Sequence, residues 1–425
     1  MMFWVWRLVY NLLVLPIMVL TAYALAPIHR KVRRGLRGRR RTVRRVAEFR
    51  AAHHNPDGLL YWFHVASHGE YEQSRPIIEG LREVSPEAII VVSFFSPSGY
   101  ENFSHAAVDF KFYLPLDFPW SMRRLLKILR PHRVVIASYD LWPNMIWACQ
   151  QQGIPSTLFA ARIVPGSSKQ WPVVSNFYKY LYGAIRQVYT VSEADHRRVK
   201  AIVGERSDTV VRNLGNPRYD RVVERNSNGL PAVPNSRERI IVLGSLHKED
   251  DAVVGQVVID LLKQDKSLRV LWAPHEPELE VLAAISQRLT AAGISWEKFG
   301  RRLGRFRDHQ VLIIDGVGYL AETYNRGILA YVGGGFSSGV HNLMEPAIAG
   351  IPVIFGPNHN RSHEAEQLID YGGGVSVAGV EEFRTQLVRL INDEEARRLG
   401  GTAAMKVVED NLGAAGRILH AILSE

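Results

Sequence analysis

The sequence predicts an α/β protein built from two doubly wound parallel sheets, and three features of the chain indicate it. Short apolar runs alternate with amphipathic stretches in both halves of the chain, which is the pattern of strands and helices in parallel sheets. Small and polar residues follow most of these runs, as expected at the carboxyl ends of such strands. Residues 226–236 are rich in Asn, Pro and Gly, a composition typical of a linker between domains.

The N-terminal segment is the candidate membrane element. Residues 8–28 contain no charged side chain, and a helix of this length, at about 1.5 Å per residue, matches a hydrocarbon core of about 30 Å. Ala24-Leu25-Ala26 resembles a signal-peptidase site, so a cleaved signal peptide is the alternative. The arginine-rich segment that follows favours an uncleaved anchor, residues 1–28, with the body on the cytoplasmic side.

The net charge of the chain is concentrated in one basic segment, residues 29–50. Residues 30–50 hold 11 Lys and Arg against one acid, and the whole chain holds 52 against 42, so the remainder is neutral with 41 against 41. We therefore expect no nucleic-acid partner. The basic segment either only fixes the topology or also attracts anionic membrane lipids. Cys149 is the one cysteine, which excludes an internal disulfide and fits a reducing compartment.

The predicted N-terminal domain, residues 51–225, has a polar turn after its first strand. The apolar residues 59–63 predict that strand, and His64–Glu70 leads from it into an amphipathic helix. Glu70 is a carboxylate at a strand end, where it could act as a general base. Ser67 and Glu70 also have the spacing of a capping box, in which the glutamate only satisfies a backbone N–H. Further strands are expected at residues 89–93, 134–137, 156–159 and 188–191.

The predicted C-terminal domain, residues 239–425, carries the densest set of polar residues. A glycine-rich turn, Gly333–Gly339, leaves a predicted strand and opens a helix expected to begin near His341. Its small residues would let backbone N–H groups approach an anion at the positive helix end. A glycine hinge without a ligand is the alternative. Strands are expected at residues 240–243, 270–272, 311–314, 328–332 and 352–355.

Two groups of side chains favour a ligand site in this domain. Asn342 and Glu345 are three residues apart, on one face of the expected helix, and Glu345 could accept from ribose hydroxyls. Ser245, His247 and Lys248 follow a second predicted strand. The histidine could equally be structural and the lysine only a surface charge. No Asp-x-Asp motif and no run of His and Cys indicates a metal site.

Together and in order, these motifs make the chain resemble the 3-deoxy-D-manno-octulosonic acid (Kdo) transferases, which carry Kdo from CMP-Kdo to lipid A. The resemblance extends from the anchor almost to the C-terminus. It depends on His64–Glu70, Phe94–Tyr100, Asp140–Asn144, Ala161-Arg162, Gly215-Asn216, Gly244–Lys248, His341–Pro346 and Gly356–Asn358.

The resemblance implies an inverting, metal-independent glycosyltransferase of GT-B architecture, in which two Rossmann-like domains face a cleft. The N-terminal domain would hold the acceptor, and the C-terminal domain would hold the nucleotide. The family's presumed catalytic base falls on Glu70. The donor contacts fall on Ser245, His247, His275, Gly318, Gly334, Asn342 and Glu345, with Lys248 as a further cation.

The chain departs from the family pattern at four places. Ala273-Pro274-His275 stands where the family has Pro-Arg-His, so an expected arginine is absent. Tyr319 replaces a glutamate, Ser138 replaces one acid of a pair that retains Asp140, and Val340 replaces a glycine. These changes concern donor contacts more than the class of reaction.

The predicted reaction transfers Kdo from CMP-Kdo, a donor substrate rather than a cofactor, to the glucosamine disaccharide of lipid A (lipid IVA) in lipopolysaccharide synthesis. Glu70 would deprotonate the attacking hydroxyl, and Ser245, Lys248 and the helix end near Gly339–Asn342 would stabilise the departing CMP. The predicted location is the cytoplasmic face of the bacterial inner membrane. The alternatives are another GT-B membrane glycosyltransferase, a sugar-nucleotide epimerase, or a non-catalytic membrane-tethered binding protein. The domain boundary is placed at residues 226–238, and the last helix could cross back to the N-terminal domain.

Overall fold

The computed structural model describes residues 2–53, 58–101, 103–205, 207–225, 238–300, 309–316 and 318–424. The chain divides into two compact units. Unit 1 comprises Met1–Arg221 and Gly413–Glu425, and unit 2 comprises Val222–Leu412. The predicted linker, residues 226–238, lies outside the described residues except for Glu238.

Unit 1 contains a parallel sheet whose described strands run in the order β3-β2-β1-β4-β5-β6-β7. The strand order reverses at β1 and β4, which pair with each other, so polar residues that follow these two strands meet at a topological switch point. The strands are β1 (Leu60–Val65), β2 (Ile89–Phe94), β3 (Phe110–Tyr113), β4 (Arg133–Ala137), β5 (Ser156–Ala161), β6 (Gln187–Thr190) and β7 (Val210–Asn213).

Helices cover both faces of this sheet, as the residues of β1 show. Trp62 packs in one apolar cluster, whereas Tyr61 and Phe63 pack in another, and all three are fully buried. A strand buried on both faces needs a continuous apolar run, which is why this segment was recognisable in the sequence. The helices between the strands are α5 (His68–Val84), α6 (Pro97–Glu101), α7 (Pro119–Leu129), α8 (Pro143–Gln151), α9 (Pro172–Tyr182) and α10 (Glu193–Val203).

The N-terminal segment forms one long apolar helix. Helix α1 (Met2–Val9) continues through a π-helical turn, Tyr10–Val14, into α2 (Leu15–Leu25). Within the part of the chain that the structure describes, Met2–Leu25 is the one helix long and apolar enough to cross a membrane. Two basic helices follow, α3 (Arg30–Arg39) and α4 (Thr42–Ala52).

Unit 2 contains a second parallel sheet, with its described strands in the order β10-β11-β9-β8-β12-β13-β14. Here the order reverses at β8 and β12, and the first polar turns of the unit follow these strands. The strands are β8 (Ile240–Leu246), β9 (Arg269–Pro274), β10 (Trp296–Lys298), β11 (Val311–Ile313), β12 (Leu329–Val332), β13 (Val353–Phe355) and β14 (Gly374–Ser376).

The remaining helices complete the two units. Helix α11 (Arg218–Arg225) begins in unit 1, and the last helix of the chain, α19 (Ala414–Leu423), packs on α5 within unit 1. The helices of unit 2 are α12 (Lys248–Gln264), α13 (Leu279–Ala291), α14 (Leu320–Tyr324), α15 (Met344–Ile348), α16 (His363–Tyr371), α17 (Val380–Asn392) and α18 (Glu394–Asp410).

The four edge strands, β3, β7, β10 and β14, were not predicted from the sequence. They are only partly buried, so they lack the continuous apolar run that marks the equally short but buried strands β6, β11, β12 and β13. The helix expected to begin near His341 is present but begins later, at Met344. The Asn342 side chain accepts from the backbone N–H of Met344 at 3.2 Å, which holds Asn342 in the turn before the helix.

Candidate active site

In unit 1 the polar turn after β1 lies at the switch point of the sheet. Ser67 is the N-cap of α5, and its hydroxyl accepts from the Glu70 backbone N–H at 3.4 Å. The Glu70 carboxylate accepts from the backbone N–H of Ala66. The capping interpretation of Ser67 and Glu70 is therefore correct, and it fixes the carboxylate at the carboxyl end of β1.

The Glu70 carboxylate has a strongly perturbed pKa. Burial is the largest effect and raises the pKa to about 7. The hydrogen bond from the Ala66 N–H lowers the pKa, whereas the negative charge of Asp140 raises it. Desolvation outweighs the hydrogen bonds because the carboxylate lies against the buried end of β1. A carboxylate with a pKa near neutrality can accept a proton and still be ionised for part of the time, which suits a general base. Capping and base catalysis are therefore compatible at this residue.

A second group beside Glu70 involves His64, the last but one residue of β1. Its side chain is fully buried. Its Nδ1 lies 2.8 Å from the Ser93 hydroxyl, and its Nε2 lies 3.0 Å from the Asp140 carboxylate. Ser93 also accepts from the indole N–H of Trp62 at 2.7 Å. The histidine thus holds Asp140 in position, and the negative charge of Asp140 raises the pKa of Glu70.

Ser138, the residue that stands where the family has an acid, is part of a hydrogen-bonded chain. Its hydroxyl donates to Gln73 at 2.8 Å, and Gln73 donates to Asn216 at 2.6 Å. All three side chains are buried. Ser138 also adopts a left-handed backbone conformation, with φ of 54°, which costs energy for a residue other than glycine. The substitution therefore leaves a serine with a defined structural role at the end of β4.

In unit 2 three histidines stack at the carboxyl ends of β8, β9 and β12. The ring centroids of His247, His275 and His341 are 4.3 to 5.0 Å apart, and the ring planes differ by 14 to 20°. The Nε2 atoms of His247 and His341 are 2.7 Å apart, a hydrogen bond. Burial, reinforced by the neighbouring histidines, lowers the pKa of His275 and lowers that of His341 to about 4. The lowered pKa of His275 and of His341 favours the neutral form of these two rings, and a neutral imidazole can both donate and accept hydrogen bonds.

These histidines correct one premise of the sequence analysis, since they form a cluster of metal-ligand type. Their ligand nitrogens all lie within 4.8 Å of one another. Two nitrogens on one tetrahedral zinc ion would be about 3.3 Å apart, given Zn–N bonds of about 2.0–2.1 Å. The 2.7 Å separation of the His247 and His341 Nε2 atoms is shorter, and near-parallel rings do not aim their lone pairs at one point. The stack fits hydrogen bonding to an anion better than it fits metal coordination.

The glycine-rich turn after β12 differs from the anion cradle that was expected. The N–H groups of Gly334 and Phe336 donate to the Asp250 carboxylate at 2.7 and 3.2 Å. Asp250 is fully buried and also accepts from the backbone N–H of His247 and from the Tyr331 hydroxyl. A carboxylate of the protein thus takes the place that an anionic ligand was expected to take. Gly334, with φ of 92°, serves the turn itself, since a Cβ there would lie 2.2 Å from the Gly339 carbonyl oxygen.

The other residues that were predicted to contact the donor substrate do not lie together in one site. Gly318 and Glu345 line one small pocket of about 80 Å³, well below the roughly 300 Å³ at which small-molecule pockets begin. Asn342 lies in the turn next to His341 rather than on a helix face with Glu345. Lys248 is exposed at the first turn of α12, and Ser245 lies at a bulge in β8 with φ of 54°.

Three functional candidates were not singled out from the sequence: His64, Asp250 and His341. His64 and His341 stand inside motifs that carried the family resemblance, so that signal was present. Their partners, Asp140 and His247, are 76 and 94 residues away, and one sequence gives no information on such pairs. Asp250 sits in an acidic first helical turn that is typical of any helix.

Comparison with known proteins shows which proteins this chain is similar to. Residues 37–221 match the family model described as 3-deoxy-D-manno-octulosonic-acid transferase (kdotransferase). The 3-deoxy-D-manno-octulosonic acid transferase of Chlamydophila psittaci is 27% identical over 79% of this chain and 77% of that protein. The one of Haemophilus influenzae is 26% identical over 86% of each, and the one of Aquifex aeolicus is 26% identical over 84% and 94%.

The chain is similar to the Kdo transferases over most of its length, and the family model matches part of it. The resemblance predicted from the eight motifs is thereby confirmed, and the family model covers the segment that contains Glu70, His64 and Asp140.

Solved structures confirm the predicted GT-B fold class. The UDP-GlcNAc 2-epimerase from Neisseria meningitidis superposes with a TM-score of 0.61 at 14% identity, over 87% of this chain and 100% of that one. MurG from Acinetobacter baumannii superposes with a TM-score of 0.54 at 13% identity, also over 87% and 100%. At such identities the likeness concerns the fold alone.

Proposed function

We propose that the protein is a glycosyltransferase that moves Kdo from CMP-Kdo to the glucosamine disaccharide of lipid A (lipid IVA) in lipopolysaccharide synthesis, with inversion and without a metal ion. The observation that carries the proposal is Glu70, a carboxylate with a pKa raised to about 7 at the switch point of unit 1. The match to the Kdo transferase family over this segment supports the reaction class.

On the acceptor side, Glu70 removes the proton from a primary hydroxyl of the glucosamine as its oxygen attacks the anomeric carbon. The Ala66 N–H that caps the carboxylate holds one of its oxygens and leaves the other for the substrate. His64 keeps Asp140 in place, and the Asp140 charge helps to make Glu70 basic enough to accept a proton at neutral pH.

On the donor side, the bond between the anomeric carbon and the phosphate oxygen breaks, and CMP leaves with additional negative charge. The rings of His247, His275 and His341 lie stacked together, and ring N–H groups at the edge of the stack can donate to a phosphate. Ser245 precedes this stack, and Asn342 adjoins it. Lys248 at the start of α12 adds positive charge beside the histidines. This arrangement supplies hydrogen-bond donors and a cation without a metal ion.

The N-terminal helix and the basic helices α3 and α4 support attachment to a membrane. The apolar helix Met2–Leu25 exposes large apolar side chains, and residues 30–50 bring a charge of +10 next to it. Juxtamembrane cations attract anionic lipids by about 1 kcal/mol each. We therefore propose the cytoplasmic face of the inner membrane as the location, with anionic membrane lipids as partners.

The deciding experiment incubates the purified full chain with CMP-Kdo and lipid IVA and measures the masses of the products. The expected result is a mass increment of Kdo, which persists with an excess of chelator. No added Kdo under any condition would overturn the proposal. Release of UDP from a UDP-sugar would identify another GT-B activity, and binding of CMP-Kdo without turnover would identify a binding protein.

A further inference from the structure

A large apolar cavity in unit 1 is not used by the proposed chemistry. It has a volume of about 430 Å³ and is walled on one side by the long N-terminal helix, from Trp6 to Met18. Helix α9 and its start, Val173–Leu181, form the second wall, and the loop Tyr139–Pro143 after β4 forms the third. Volume and lining are those of a small-molecule pocket, since such sites hold 300–1,000 Å³ and are mainly apolar.

The N-terminal helix is held against this cavity by specific contacts. The Trp6 indole N–H donates to Asn176 on α9 at 2.7 Å, and the Tyr10 hydroxyl donates to the buried Asp117 at 3.0 Å. Asn144 on α8 donates to Asn11 at 2.8 Å. Because each of these side chains pairs with a particular partner on unit 1, the helix has a fixed register there. The cavity is therefore a built feature of the fold.

The opposite face of the same helix is apolar and exposed. Large side chains there are between 57% and 68% exposed, namely Trp4, Leu8, Leu12, Leu13, Ile17 and Leu20. An apolar face of this extent is typical of a membrane interface. The cavity thus lies directly behind an element that can contact lipid. Val173 lines the cavity and is itself 69% exposed, so the cavity can be reached from the surface at this residue.

The third wall connects the cavity to the acceptor chemistry. Asp140 lines the cavity and is hydrogen-bonded to His64. Its negative charge raises the pKa of Glu70. A molecule in the cavity therefore borders the network that surrounds the proposed base.

A cation is linked to the cavity through two aromatic rings. Trp142, another lining residue, stacks on Phe95 with ring centroids 4.7 Å apart. The Arg39 guanidinium lies 4.4 Å from the centre of the Phe95 ring and donates to the Phe95 carbonyl. An apolar cavity with a carboxylate on one wall and an arginine two contacts away matches a lipid that has a charged, hydroxylated head group.

We propose that this cavity binds one acyl chain of the acceptor lipid and so positions the acceptor head group beside Glu70. The proposal depends on the proposed function for the identity of the acceptor. It assigns the N-terminal helix a second role, as a wall of the acceptor site as well as a membrane contact. Each methylene that is moved from water into the cavity would strengthen binding about fourfold.

The test fills the cavity from its exposed side with Val173→Trp and compares it with Val84→Trp. Val84 is an exposed valine at the end of α5 in the same unit and lies outside the cavity. The first assay measures KM and kcat for lipid IVA and for its fully deacylated disaccharide. We expect Val173→Trp to raise the ratio of KM for the acylated to the deacylated acceptor about tenfold, and Val84→Trp to leave it unchanged. An unchanged ratio in both variants would overturn the proposal.

A second readout does not require turnover. A phosphorylated glucosamine disaccharide that carries a diazirine-tagged myristoyl chain is photo-crosslinked to the full chain in vesicles, and the labelled peptides are identified by mass spectrometry. Crosslinks on Val173–Leu181 and Tyr139–Pro143 that are lost in Val173→Trp and kept in Val84→Trp support the cavity as the binding site. Crosslinks confined to Trp4, Leu8 and Leu12, equal in both variants, would overturn it.

The two readouts separate the two proposals. If neither acceptor receives Kdo but the crosslinks map to the cavity, the proposed transfer is wrong and the acyl site stands. If Kdo is transferred and the crosslinks avoid the cavity, the transfer stands and the acyl site is wrong.

Discussion

The two candidate sites lie at the same position in two similar sheets, but burial shifts the pKa values of their side chains in opposite directions. Each lies at the switch point of its sheet, and each has a serine in the left-handed region nearby, Ser138 in unit 1 and Ser245 in unit 2, both with φ of 54°. In unit 1 burial raises the pKa of Glu70 to about 7, and in unit 2 burial lowers the pKa of His341 to about 4.

Both shifts have one physical cause, because burial disfavours the charged form of either group. For a carboxylate the result is a stronger base, and for a histidine it is a neutral hydrogen-bonding group. The comparison teaches that one kind of site, in related sheets, can supply proton transfer in one unit and hydrogen bonds to a neutral or anionic ligand in the other.

The largest expected effect is that of Glu70→Gln. Glutamine can still accept from the Ala66 N–H, so the cap is kept, but it cannot take a proton at neutral pH. We expect kcat to fall by about 10²–10⁴-fold, the usual contribution of a general base, with the affinity for CMP unchanged. Glu87→Gln, an exposed change in the same unit, is the control. Full turnover by Glu70→Gln would show that Glu70 only caps the helix and is not the general base.

Removal of Asp250 should damage unit 2 as a structure. Asp250→Ala leaves the N–H groups of His247, Gly334 and Phe336 and the Tyr331 hydroxyl without their acceptor. Unsatisfied buried donors cost about 1–3 kcal/mol each, so we expect the free energy of unfolding to fall by about 3 kcal/mol or more. Chemical denaturation of the full chain measures this, with Glu249→Ala, an exposed acid in the same helical turn, as the control. Equal stabilities would show that Asp250 does not organise the turn.

The histidine stack should govern nucleotide affinity and leave the proton-transfer step alone. His341→Ala removes one donor to the phosphate, and hydrogen bonds to charged groups are worth about 1.5–3 kcal/mol. We therefore expect the Kd for CMP, measured by calorimetry, to rise about 10- to 100-fold. The pH dependence of kcat should stay as in the unsubstituted protein. An unchanged Kd would remove the stack from the donor site.

The pH profile of kcat distinguishes the two sites directly. Glu70 must be ionised to act as a base, and its pKa is raised to about 7, so activity is present above that pH and lost as the pH falls through it. Below that pH, kcat should fall about tenfold per pH unit, a limb that is absent from the residual activity of Glu70→Gln. A flat profile from pH 5 to 8 would contradict the assignment.

The smallest effect concerns the position of that limb. The Asp140 charge contributes to the raised pKa of Glu70, after desolvation. Asp140→Asn should therefore move the acidic limb of the kcat profile to lower pH by a fraction of a unit. The matched change Asp109→Asn, at a carboxylate paired with Arg82 elsewhere in unit 1, should leave the limb in place. A limb that shifts upward in Asp140→Asn would exclude this electrostatic coupling.

The sequence predicted the fold class because the central strands are buried on both faces. Runs such as residues 59–63 and 240–243 have to be apolar throughout, and they are the positions of β1 and β8. The edge strands β3, β7, β10 and β14 were missed for the converse reason, since they are partly exposed and need no continuous apolar run. Local spacing also identified the cap formed by Ser67 and Glu70.

The site in unit 2 shows where sequence reasoning fails. A glycine-rich turn after a strand predicted an anion cradle, but the buried Asp250 occupies the N–H groups of Gly334 and Phe336. The sequence could not show this, because the acid comes from a helical turn that precedes the glycines by more than 80 residues.

By itself the sequence determined which segments form the two sheets, where polar turns follow the strands, and which family the motifs resemble. These properties are local, since strand burial and helix capping depend on neighbouring residues in the chain. Only the tertiary structure decided the surroundings of these groups: burial raises the pKa of Glu70, three histidines stack on one another, and the N-terminal helix lines an apolar cavity. Desolvation and charge coupling act through space, between residues whose separation along the chain is arbitrary.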